Sequence, residues 1–98
     1  MYKGNALERL NKSDEANQVY YEAIRLAPND TLIRINKGDA LFHQNKYDEA
    51  IQAYDEAIRL DPKYAQTWQN KGIALERLNK YDEANVAKAK AKELGYEG

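Results

Sequence analysis

The sequence predicts an all-α fold, an α-solenoid of antiparallel helix pairs with about six helices. Three observations carry that prediction. Gly4, Gly38 and Gly72 stand 34 residues apart; so do Leu7, Leu41 and Leu75, then Ala16, Ala50 and Ala84, and then Pro28 and Pro62. A fixed period of this length is the mark of stacked helix-pair units, none of which buries its apolar face alone. Within each period, apolar residues recur at three- and four-residue steps, as one face of a helix requires. The helix-breaking residues recur in phase as well.

Each element follows from local chemistry. Helices are expected at residues 1–11, 14–26, 31–44, 48–60, 65–78 and 82–94. In Ala50–Leu60, the residues Ala50, Ile51, Tyr54, Ala57, Ile58 and Leu60 form one stripe. In Lys71–Leu78, Ala74, Leu75 and Leu78 do the same. Both read as amphipathic helices of about 11–14 residues. Asn11-Lys12, Asn45-Lys46 and Asn79-Lys80 fall between the helices of each pair. Asparagine tolerates the left-handed conformation that ends a helix. Asp14-Glu15, Asp48-Glu49 and Asp82-Glu83 follow, and acids in a first turn favour the helix dipole. Pro28 and Pro62 close the second helix of a pair and open the turn into the next. Gly95 ends the last helix. Gly38 and Ala50 are where two backbones come close, and Leu41, Tyr47 and Tyr54 fill the space between repeats.

The bulk numbers bound the function. Ninety-eight residues make one small domain, divided by period into repeat one (1–30), repeat two (31–64) and repeat three (65–98). Fifteen cationic and sixteen anionic side chains nearly cancel. That balance argues against nucleic acid or an anionic membrane held by net field. No cysteine is present, which removes disulfides and thiolate sites and fits a reducing compartment. No run of about 18 apolar residues exists to span a bilayer, and the N-terminus lacks the apolar stretch of a secretory signal. A cytoplasmic location is expected.

Catalysis has nothing to stand on. His43 is the only histidine and lies on a polar helix face. No HxxxH or cysteine pair offers a metal site, and no cofactor is implied. The paired acids recur at helix starts, which assigns them to helix chemistry before general acid–base work. Each glycine is isolated, so no phosphate loop exists. The chain is expected not to be an enzyme.

Trp68, Gly72, Tyr81, Ala84 and Ala91 in repeat three, Gly38, Tyr47, Ala50, Tyr54, Ala57 and Pro62 in repeat two, and Gly4, Ala16, Tyr20, Ala23 and Pro28 in repeat one carry a resemblance. Together they resemble the tetratricopeptide repeat, over essentially the whole chain. The resemblance implies a right-handed superhelix whose first helices line a concave groove for a protein or peptide ligand. By that register the groove would take Asn5, Glu8 and Arg9 (with Met1) from repeat one. Repeat two would give Leu32, Ile35, Asn36, Asp39, Phe42 and His43. Repeat three would give Gln66, Gln69, Asn70, Ile73, Glu76 and Arg77. A subset of the family grips the C-terminal carboxylates of heat-shock chaperones with lysine, asparagine, asparagine, lysine and arginine. This chain keeps Asn5 and Asn36, but Met1, Gln66 and Asn70 stand where the cations would be. A chaperone-tail clamp is therefore not expected.

The departures from the period mark further sites. Leu32, Ile35 and Phe42 share a helix stripe with Asp39. They read either as an apolar anchor pocket or as packing between first helices. Lys3, Lys37 and Lys71 precede the glycines where the family usually has an apolar residue, each able to lay its stem on apolar surface. Arg34 stands where Trp68 stands one repeat later, and Ser13 replaces the tyrosine of positions 47 and 81. By register the first helix would begin before Met1. Asn85, Lys88 and Lys92 replace Ile51, Tyr54 and Ile58, so Asp82–Leu94 reads as a polar cap of the kind a solenoid end needs; the rival reading is a basic docking patch. Val19, Tyr20, Tyr21 and Ile24 form an apolar face at the other end, a candidate surface for a homo-oligomer. Lys3–Asn17 and Lys71–Asn85 differ only at Asn5/Ile73 and Ser13/Tyr81, which would ease exchange of repeats between chains.

Overall fold

The computed structural model describes residues 15–97. Within them the chain is helix after helix: α1 (residues 15–26), α2 (Thr31–His43), α3 (Tyr47–Leu60), α4 (Ala65–Arg77) and α5 (Tyr81–Glu93). These bounds fall within one residue of the periodicity-derived ones. The helix expected at 1–11, and the Ser13 cap, lie outside the described residues.

The turns show why the breaks recur. Asn45 and Asn79 both take left-handed backbone, with φ of 62° and 63°. That conformation lets the next amide swing back: Lys46 N donates to Leu41 O and Lys80 N to Leu75 O, each at 2.9 Å. The phenol that follows fixes the asparagine, Tyr47 Oη donating to Asn45 Oδ1 at 2.9 Å and Tyr81 Oη to Asn79 Oδ1 at 3.0 Å. Gly95 takes the same role after α5, with φ of 107° and Tyr96 N donating to Ala91 O. Asp30 caps α2 by accepting from Ile33 N at 3.2 Å. Helices α3 and α5 have no side-chain cap and carry the acid pairs Asp48-Glu49 and Asp82-Glu83 in their first turns instead.

Stacking buries what each pair cannot. Helix α2 packs on α3, α3 on α4, and α4 on α5, while α2 and α4 touch across the first-helix row. One core cluster gathers Ile35, Leu41, Tyr54 and Ala74 among the alanines of α3. A second holds Leu75, Ala84 and Ala87, with Ile51 and Trp68 packed on it. Ala50, Ala57, Ala74, Ala84 and Ala91 are completely buried, so helices meet at methyl groups. Two expectations change here. Leu60 leaves the α3 stripe and is exposed, being the last residue before the turn. At Gly38 the absent Cβ makes room for an aromatic ring, not for a second backbone: a Cβ there would lie 2.5 Å from Tyr54 Cε1.

Arg34, which departs from the period, keeps a structural role of the tryptophan that stands there one repeat later. Trp68 donates from its indole to Pro62 O at 2.8 Å. Arg34 donates to Pro28 O at 3.0 and 3.3 Å, so the guanidinium makes the bond the indole makes one repeat later. It also pairs with Glu56 of α3. Lys37 and Lys71, which precede the described glycines of α2 and α4, have partners as well. Lys71 Nζ meets Asp55 at 2.7 Å, and Lys37 Nζ lies 4.2 Å from the centre of the Tyr21 ring.

Candidate functional site: a groove between the first helices

Helices α2 and α4 run side by side and line a concave cavity of about 450 Å³. Helix α2 contributes Leu32, Ile35, Asn36, Asp39, Phe42 and His43 at three- and four-residue steps, which is one face of a helix. Helix α4 contributes Gln66, Asn70 and Ile73. Tyr54 reaches it from α3, and Tyr64 from the turn that precedes α4.

The apolar stripe of α2 is divided. Ile35 is buried in the core cluster even though its edge reaches the cavity. Leu32 is 56% exposed. Phe42 is half-buried, with its ring edge-on to Tyr47 at 5.2 Å and to His43 at 5.8 Å between centroids. Arg77 lies over the same ring, 5.7 Å from its centre.

A chain of polar groups crosses the floor. Gln66 Nε2 donates to Asn70 Oδ1 at 2.8 Å, Asn70 Nδ2 donates to Asp39 Oδ1 at 3.1 Å, and Tyr54 Oη donates to the same Asp39 oxygen at 2.6 Å. These bonds tie α2 to both α3 and α4. Burial pushes the Tyr54 phenol far above its ordinary range, and its hydrogen bond to Asp39 and the charge of that carboxylate push the same way. Tyr54 therefore remains a donor at neutral pH, and Asp39 is held by two uncharged donors.

Other residues expected in the groove go elsewhere. Gln69 lines a separate hollow with Lys88, Lys92 and Tyr96. Glu76 accepts from Lys88 Nζ at 2.6 Å. Arg77 is exposed and is not part of the cavity wall. Met1, Asn5, Glu8 and Arg9 lie outside the described residues. At the other face, Val19 and Tyr21 are 65% and 63% exposed, while Tyr20 and Ile24 are half-buried.

Tyr54 and Tyr64 are the cavity residues that sequence reasoning assigned elsewhere or passed over. Tyr54 sits on a second helix, which the period marks as packing. The signal for its second role is Gly38, whose missing side chain leaves space for the ring and so brings the hydroxyl to neighbouring Asp39. Tyr64 lies in a turn, where no periodicity bears on orientation.

Among the described residues, no cluster of three or more His, Cys, Asp or Glu side chains is placed to hold a metal ion. Nor is any helix there long and apolar enough to cross a membrane.

Comparison with known proteins places this geometry. A tetratricopeptide-repeat model matches residues 9–56, and a TPR-repeat model matches residues 38–79. Comparison with curated proteins finds no matching sequence. Among solved structures, MamA AMB-1 superposes with a TM-score of 0.80 at 26% identity, over 87% of this chain and 50% of that one. The chain thus spans about half the length of the MamA chains it matches. The first TPR of Spaghetti (RPAP3), bound to the HSP90 peptide SRMEEVD, gives 0.82 at 26% identity, covering 96% of this chain and 75% of that one. YrrB, a TPR protein with an unusual peptide-binding site, gives 0.76 at 28% identity, covering 81% and 41%.

Proposed function

The chain belongs to the tetratricopeptide-repeat family, and from that premise we propose that it is a non-enzymatic protein-interaction module whose concave groove holds a peptide segment of a partner. The observation that carries this reading is the cavity between α2 and α4, which combines apolar walls with side-chain amides able to bond a peptide backbone. RPAP3 and YrrB, of similar fold, are peptide binders by description. Repeats 1–30, 31–64 and 65–98 would act as one domain.

The same walls argue against an acidic chaperone tail as the ligand. Such a tail needs cations for its carboxylates, and among the described residues no lysine or arginine lines this cavity. Gln66 and Asn70 stand where the family resemblance implies positive charge.

Peptides selected from a random display library on the intact protein test the reading. Binders should perturb backbone amide signals of α2 and α4. Perturbation confined to α3 and α5 would overturn it. Phe42→Ser refines it: an unchanged melting temperature with lost binding assigns the ring to the ligand, whereas a large fall in melting temperature assigns it to packing.

A second reading has its own observation. Val19 and Tyr21 are exposed on α1, with Tyr20 and Ile24 half-buried on the same helix, and exposed apolar side chains favour association. On this reading the chain is a scaffold that pairs with itself through Val19, Tyr20, Tyr21 and Ile24. Sedimentation showing only monomer at high micromolar concentration would remove it.

A further inference from the structure

Resting on the groove reading above, we infer that the groove selects a partner segment carrying an arginine or lysine flanked by apolar residues, with Asp39 as the recognising carboxylate. Among the described residues Asp39 is the one carboxylate of the cavity wall, and no lysine or arginine there shares that wall. Its two partners, Tyr54 and Asn70, orient the group but bring no charge. Both donate to Oδ1, and among the described residues no donor reaches Oδ2 and no ion pair includes Asp39. The result is a half-buried carboxylate, fixed in direction, with one oxygen available and no compensating cation among the described residues. A charge so placed is screened less than one in open water. A guanidinium or ammonium is the complement, and an acidic segment would meet repulsion.

The neighbours of Asp39 supply the second half of the specificity. It sits one helical turn after Ile35 and one turn before Phe42, with Ile73 of α4 in the same wall. A turn advances about 5.4 Å, and two residues of an extended strand advance about 6.6 Å. An extended peptide in which apolar residues stand two before and two after the cation therefore matches the wall. The guanidinium of Arg77 is already directed onto the Phe42 ring, outside the cavity wall, so it does not neutralise Asp39.

The test compares three fluorescein-labelled peptides on the full chain: a Leu-Ser-Arg-Ser-Leu core in a Gly-Ser frame, the same peptide with citrulline for arginine, and the same with glutamate. Citrulline keeps the shape and loses the charge. The arginine peptide is expected to bind about tenfold or more tightly than the citrulline peptide, with glutamate weakest. Asp39→Asn keeps an acceptor for Tyr54 and Asn70, and should bring arginine and citrulline to within about twofold. A salt titration on the parent protein gives the same answer without a variant, because the arginine preference should shrink as ionic strength rises. Equal affinities for arginine and citrulline, or a preference for glutamate, overturn the selectivity and leave the groove standing. No binding of any peptide, with display selection also failing on α2 and α4, overturns the groove and the selectivity together.

Discussion

Gly38 and Gly72 occupy the same place in successive helix pairs, and what lies against them differs in kind. Over Gly38 lies the Tyr54 ring, 1% exposed, with its hydroxyl on Asp39. Over Gly72 lies the stem of Lys88, with its ammonium on Glu76 and about a third of the side chain in solvent. The backbone is the same, and the difference comes from the neighbours each pair has. The α2–α3 pair has α4 beyond it and can bury an aromatic plug. Helix α5 has no following helix among the described residues, and its plug has an apolar stem and a wet tip. The hydrogen-bonding end of each plug reaches the adjoining first helix, but only Tyr54 delivers it into the groove.

The largest effect expected from this contrast is on stability. Tyr54→Ala removes a buried ring and leaves a cavity, a change that costs about 3–5 kcal/mol. Against a total of about 5–15 kcal/mol for a domain, that loss should bring urea unfolding close to native conditions. Lys88→Ala removes a partly exposed ion pair and some stem packing, and should cost less than about 1 kcal/mol. Comparable urea midpoints for the two variants would break the comparison.

The glycines sharpen it at a smaller scale. Alanine at Gly38 would put its methyl 2.5 and 2.7 Å from ring atoms of Tyr54. A ring packed in the core moves only by disturbing its neighbours, so Gly38→Ala should cost about 1–3 kcal/mol. At Gly72 the nearest atom is Lys88 Cγ at 2.7 Å, and a flexible stem swings aside. Ala84 O at 3.2 Å must still give a few tenths of an ångström. Alanine gains about 0.5–1 kcal/mol over glycine within a helix, so Gly72→Ala should come out near neutral. Thermal melts of the pair decide it, and equal losses would show that the plug is not what sets glycine at these positions.

The architecture was legible in the sequence because it depends on residues that repeat. The left-handed turns at Asn45 and Asn79, the alanine contacts and the helix bounds all follow from chemistry printed once per period. The groove was legible in part. Leu32, Ile35, Asn36, Asp39, Phe42, His43, Gln66, Asn70 and Ile73 could be assigned to one wall because the family resemblance implies which positions of each first helix face the groove. Gln69 and Glu76 were not separable from them, because each lies within one turn of a lining residue and its direction depends on α5. The Tyr54–Asp39 bond was out of reach for another reason. It is a long-range pairing between a packing residue and a groove residue, and periodicity treats those as separate sets.

The pH dependence of stability follows from Tyr54 and has a definite sign. Its folded-state pKa lies above the ordinary value of 10.0. Below pH 10 the phenol is protonated in both folded and unfolded chains, and its contribution is fully present. Above pH 10 the unfolded chain releases that proton while the folded one holds it, so stability falls as pH rises. Tyr54→Phe loses the bond to Asp39 at every pH but removes this dependence. Urea midpoints at pH 8 and pH 11 should therefore fall less in the variant than in the parent. An identical fall in both proteins would mean that Tyr54 ionises in the folded state as freely as in the unfolded one.

The smallest effect expected is a gain. Thr67 on α4 is completely buried, and its hydroxyl has no hydrogen-bond partner among the described residues. One repeat earlier the same position holds Ile33, an apolar β-branched side chain. The site therefore accepts an apolar branch, and the buried hydroxyl keeps a desolvation cost with nothing to offset it. Thr67→Val replaces the hydroxyl by a methyl of similar size and should stabilise the chain by about 1 kcal/mol. Thr67→Ser keeps the hydroxyl, loses the methyl and should destabilise it. If valine melts below the parent, the hydroxyl is satisfied in solution and this position is no weaker in repeat three than in repeat two.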